Sequence, residues 1–146
     1  MHIEFGRGLD HILFGMTESE IVAALGTPDK TVITESGNRD LCYYCQKLIL
    51  KIEPTNGGRL GWVSVRNRQA RLADLDPWTT ERGALLEHLE QELAEPYAVE
   101  DYGELESISF ERSWVELQYE LGELAAINFG VRYGYNDEPH WPPPAA

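Results

Sequence analysis

The sequence predicts an α+β fold in which two tandem helix-plus-antiparallel-meander repeats form one sheet with helices on one face. Three observations predict it. A capping signal at Thr17 opens an amphipathic helix; several strand-like runs separated by turn residues follow; and the order of helix, then strands, recurs in the second half of the chain. A chain of 146 residues that is 42% hydrophobic and 25% charged can bury a real core, as one domain or as two small repeats sharing it.

In the first helix, Thr17 is followed three residues later by Glu20, the spacing of a capping box. Ile21, Ala24 and Leu25 share one helical face, and Gly26 with Pro28 ends the helix after about two to three turns. Strand-like runs are then expected at residues 30–35, 41–45, 48–53 and 60–65. Ser36-Gly37-Asn38 and Asn56-Gly57-Gly58 serve as turns between them. A connector at 70–79 leads to a second helix over 80–93, where Leu85, Leu86, Leu89 and Leu93 recur at helical spacing and Pro96 follows. Four more strand-like runs are expected at 97–102, 105–110, 114–120 and 124–131. The runs 48–53 and 115–120 share one alternating pattern, as do 59–65 and 123–129. The expected organisation is a single domain over 1–133, with repeat one at about 12–69 and repeat two at about 78–133. A Pro-rich tail covers 134–146. Its His140-Trp141-Pro142-Pro143-Pro144 reads as a strap in which Trp141 covers part of the domain, with a proline-recognition ligand as the alternative.

Strand parity turns this pattern into a surface. With Leu48, Leu50 and Ile52 toward a helix, Lys47, Ile49, Lys51 and Glu53 point the other way. With Val115, Leu117 and Tyr119 inward, Trp114, Glu116, Gln118 and Glu120 lie opposite. Gly61, Val63 and Val65, and Ala125, Ile127 and Phe129, are expected against helices. Trp62, Ser64, Arg66, Ala126 and Asn128 then join the open face, together with Tyr44. The candidate partner-binding residues are therefore Tyr44, Trp62, Trp114, Glu116, Gln118, Glu120 and Asn128, because Trp, Tyr and Arg dominate protein-binding hot spots. Packing of the same rings against the connector, the tail or a second subunit remains the alternative.

Charge is distributed unevenly. Residues 1–73 carry 8 Asp and Glu against 9 Lys and Arg, a net of +1; residues 74–146 carry 17 against 3, a net of −14. Such a field disfavours nucleic acid and anionic membrane and steers a basic partner toward the second half. Cys42 and Cys45, three apart on an expected strand, face opposite ways and read as structural thiols. His11, His88 and His140 are scattered, so no metal or other cofactor is expected. No nucleophile elbow, phosphate loop or zinc-protease motif is present, and no catalytic residue is assigned. The best enzymatic candidates would be Glu116 and Glu120 near Asn128, or Asp74 and Asp76 with His88. The start of the chain lacks the features of a secretory signal, and no apolar run approaches a membrane span, so a soluble, cytoplasmic protein is expected.

From Gly15-Met16-Thr17 through Gly26-Thr27-Pro28-Asp29, with Tyr43-Tyr44, 48–52 and Gly58-Arg59-Leu60, the chain resembles the helix-then-meander unit of BamE-like and β-lactamase-inhibitor-like proteins. Its doubling resembles the β-lactamase-inhibitor arrangement. The second half departs from the pattern, with a longer helix and no Gly-x-Pro after it. The resemblance implies a non-enzymatic binder, such as an inhibitor or a cytoplasmic immunity protein that neutralises a bacterial toxin. The lipid-carrying cysteine and the secretion signal of the named families are missing, which leaves an intracellular protein partner. The runner-up is a homo-oligomerising scaffold, and a carboxylate-dependent enzyme stands third.

Overall fold

In the computed structural model, which describes residues 1–143, the chain first folds into three two-residue strands: β1 (Ile3–Glu4), β2 (Gly8–Leu9) and β3 (Ile12–Leu13). Helix α1 (Glu18–Leu25) leads into β4 (Lys30–Ile33), β5 (Arg39–Tyr43), β6 (Leu48–Glu53) and β7 (Arg59–Val65). Helix α2 (Arg82–Leu93) leads into β8 (Ala98–Asp101), β9 (Leu105–Phe110), β10 (Val115–Glu120) and β11 (Glu123–Gly130). The eight long strands form one antiparallel sheet in the order β4-β5-β6-β7-β11-β10-β9-β8, and β1-β2-β3 form a second.

This architecture corrects the α+β expectation of two helix-plus-meander repeats. The fold is dominated by sheet: the described residues form eleven strands in two sheets, two α-helices and one 3-10 turn at Pro54–Asn56. The reason lies in the second layer. Helix α1 has eight residues and buries only Ile21, and α2 buries Leu85, Leu86 and Leu89. Neither helix is large enough to cover the middle of an eight-stranded sheet. The three-stranded sheet does so: Phe5 and Phe14 both meet Phe129 edge to face, at 5.4 and 5.6 Å between ring centres. Its two-residue strands are too short to show an alternating pattern, which is why no element was expected before residue 17.

Local chemistry anchors each piece of that layer. Thr17 caps α1 by accepting from the Glu20 backbone while the Glu20 carboxylate accepts from the Thr17 N–H, so the capping box is formed. Backbone bonds from Gly15 to Leu60 and from Leu60 to Met16 tie the chain to β7. Arg39 holds Glu18 through two bonds, at 2.7 and 3.3 Å, and the Tyr43 hydroxyl donates to Gly26 O. On the other side Arg82 grips Glu106 with two bonds at 3.0 and 2.8 Å and lies 4.8 Å from the Tyr119 ring centre.

Side-chain parity follows the sequence except at two bulges. A register shift between Lys51 and Ile52 puts Leu60, not Gly61, in the core beside Ile52. A second between Gln118 and Tyr119 does the same for Leu124 in place of Ala125. Gly61 meets Glu53 instead; a methyl group there would clash with the carboxylate. The tail residues up to 143 fold back, with His140 N–H donating to Arg132 O and Trp141 packing on Gly15 and the core. Pro144, the last residue of the proline motif, lies outside the described residues.

Candidate functional site

The side of the large sheet turned away from the helices is built by pairing register. Directly opposed residues of antiparallel strands share a face, so Cys42, Ile49, Ser64, Asn128, Glu116 and Ser109 form one row across β5, β6, β7, β11, β10 and β9. The structure thereby brings Glu116 and Asn128 together, as the sequence predicts. Glu116 is the centre of a polar cluster: Ser107 Oγ donates to its Oε2 at 2.7 Å, while Asn128 Nδ2 and Gln118 Nε2 donate to Oε1 at 2.8 and 3.3 Å. Because the carboxylate can only accept, the Asn128 amide must turn its nitrogen toward it. That leaves Asn128 Oδ1 buried without a partner.

Beside this cluster lie the two tryptophans. Trp62 covers Gly130 of the adjacent strand so closely that a Cβ there would sit 2.5 Å from the indole, so glycine is what lets the ring lie flat. Trp114 follows the β9–β10 turn at φ 56°, a backbone region that a bulky side chain rarely adopts, and stacks at a tilt on Tyr133, 5.0 Å between ring centres. It stays 43% exposed. Trp62, Trp114, Ser109, Glu111 and Glu116 contribute to the walls of a shallow depression of about 390 Å³.

Tyr44 is not part of that group. It stands 62% exposed over a second depression, of about 250 Å³, whose lining includes Cys42, Lys47, Ile49 and Arg66. Glu120 is exposed and faces Arg66 at 3.7 Å. The β8–β10 side of the open face carries Glu100, Glu116 and Glu120, whereas its β5–β7 side mixes Lys47, Lys51 and Arg66 with Asp40 and Glu53. Cys42 is buried and Cys45 exposed, and both are free thiols. Burial first, then Asp40, pushes the Cys42 thiol above its ordinary pKa, against the opposing pull of Lys30.

Two contributors escaped the sequence reading. Ser107 is a small polar residue whose pairing with Glu116 appears only once the β9–β10 register is known. Tyr133, beyond the last strand, supports Trp114 and accepts from Asn56 at 2.9 Å. Glu53 shares the Asn56 amide, and burial holds its carboxyl above the usual range although Lys51 and the Tyr133 hydroxyl pull it down. Its place beside Gly61 was hidden by the bulge.

The alternative catalytic groups are dispersed. Glu116 is bonded by neutral donors, whereas Glu120 lies beside Arg66. Asp76 pairs with Arg71 at 3.5 Å, and His88 lies 3.4 Å from Glu92. Among the described residues no group of three or more His, Cys, Asp and Glu side chains is placed to hold a metal ion. No helix of the described residues is long and apolar enough to cross a membrane.

No family model matches the chain, and no curated protein matches it. Among solved structures it is similar to the 1.5 Å crystal structure of an extracellular protein containing an SCP domain from Bacillus anthracis str. Ames, at 11% identity and a TM-score of 0.51. The match covers 88% of this chain and 47% of that one, so the chain spans about half the length of the structure it resembles. At that identity the likeness is one of fold.

Proposed function

We propose that the chain is a non-enzymatic protein-binding module, a cytoplasmic inhibitor or immunity protein that docks a basic bacterial toxin on the open face of its large sheet. The observation that carries this reading is Trp62 and Trp114 bordering an uncovered depression beside Glu111 and Glu116. Aromatic rings ringed by polar groups are the anatomy of a binding hot spot, and the acids of the second half add long-range attraction for a basic surface.

The test is binding of the purified protein to a basic protein encoded beside its gene, by calorimetry. Affinity should fall as salt rises from about 50 to about 500 mM, because screening shortens the reach of the acids. Trp114→Ala should weaken it by roughly tenfold or more, the size of a hot-spot truncation. Absence of binding at low salt, or indifference to Trp114→Ala, overturns the reading.

The exposed edges favour a second reading, homo-oligomerisation. All four residues of β4 and of β8 are exposed, and Ile33 and Val99 present apolar side chains there. Light scattering tests it: a stable dimer in solution supports pairing through these edges, and a monomer ends this second reading.

A further inference from the structure

We infer that the depression between Trp62 and Trp114 is a receptor for a single arginine side chain of the partner, with Glu116 as its counter-charge. The inference rests on the protein-binding reading and names the chemistry of the contact. It starts from the bonding state of Glu116. A carboxylate offers about four lone-pair directions. Ser107, Asn128 and Gln118 occupy three of them, all as neutral donors, and no Lys, Arg or His among the described residues forms an ion pair with Glu116. Those donors fix the carboxylate in orientation without cancelling its charge. A further acceptor direction and the full negative charge remain for an incoming donor.

The rest of the depression selects which donor. Glu111 adds a second acid to its wall, and no cationic side chain lines it. Trp62 is held flat over Gly130 and Trp114 is braced by Tyr133, so both rings are ordered before anything binds. A planar, weakly hydrated guanidinium can stack on an indole while donating in its own plane to a carboxylate. A lysine ammonium is a strongly hydrated point charge that can do the second but not the stacking. Asn128 Oδ1, buried beside Glu116 without a partner, adds to the negative potential behind the carboxylate.

The experiment uses N-acetyl-arginine amide as the probe, titrated into the full chain at constant ionic strength and followed by the indole N–H resonances. Trp62→Phe and Trp114→Phe assign the two signals, and Trp78 and Trp141 serve as internal references. The Trp62 and Trp114 signals should shift and saturate while the references stay still. N-acetyl-lysine amide should bind roughly fivefold more weakly, and Glu116→Gln should weaken the arginine amide by a similar factor. Glu90→Gln, at an exposed acid of α2 that does not line the depression, should change nothing. If neither indole moves, if lysine matches arginine, or if Glu116→Gln is without effect, the inference falls. Should the basic protein partner bind and lose affinity in Trp114→Ala while the arginine amide leaves both indoles unmoved, the inference falls and the protein-binding reading stands. A partner indifferent to Trp114→Ala overturns the reading itself.

Discussion

Glu95 is the acid that the fold uses most fully. It is 7% exposed and accepts from the backbone N–H of Arg112 and Ser113 and from the Ser113 hydroxyl, at 2.6 to 2.9 Å. It thereby ties the end of α2 to the β9–β10 turn that presents Glu111 and Trp114. Burial works against its ionised form, but the hydrogen bonds and the nearby Arg112 outweigh burial and hold the carboxyl below its ordinary value of 4.5. A depressed folded pKa contributes stability that is present above the unfolded value and lost as pH falls through the folded one. Glu95→Ala should therefore cost about 2–3 kcal/mol at neutral pH, since it strands buried donors. Urea titrations from pH 7 downward should show the difference from the parent protein shrinking below about pH 4.5. A constant difference across that range would show that Glu95 acts by packing alone. Nothing in the sequence marks this residue among the seventeen acids of residues 74–146, because its partners become visible only when the turn is folded.

At the scale of elements, legibility tracked the length of the repeating pattern. The Thr17 and Glu20 pair announced α1 because capping is local chemistry between residues three apart. Thr17→Ala should cost about 1 kcal/mol, measured by thermal or urea unfolding. The six residues of β6 and of β10 showed their parity directly, which is how Glu116 and Gln118 could be assigned to the open face. Two-residue strands have no period to detect, so β1, β2 and β3 were invisible. Bulges were invisible too: each adds one residue to one strand, which exchanged Leu60 for Gly61 and Leu124 for Ala125 in the core. Trp62 keeps its expected face because it pairs with Lys51 on the regular side of the first bulge, whereas Trp114 lies in the turn before β10, where strand parity does not apply.

For the whole molecule, the hidden three-stranded sheet matters more than either helix. Phe14 is 2% exposed and meets Phe129 in the strand at the centre of the large sheet. Phe14→Ala should destabilise the protein by about 3–5 kcal/mol, read by urea unfolding, as truncation of a buried aromatic does. A cost near that of an exposed residue would mean that the N-terminal segment is only an accessory. The uneven charge of the sequence is spread along the sheet rather than across its two faces, and the ion pairs Arg66–Glu120 at 3.7 Å and Arg68–Glu123 at 4.0 Å join its two charge regimes. These pairs are exposed, so they tune the local field more than the stability.

The central pairing of β7 with β11 also bears on how the chain reaches this state. Val65 lies opposite Ile127, so the middle of the sheet joins residues 62 positions apart (127 − 65). Strands β4 to β7 pair as neighbouring hairpins, whereas β7 finds its other partner only when β11 has formed, and until then it is an open edge. Closing this seam carries the largest loop-closure cost among the pairings of the large sheet, since its other pairs join consecutive strands, and the same closure sets Gly130 beneath Trp62. A chain ending before β11 would carry a sticky unpaired strand and no finished Trp62–Trp114 depression.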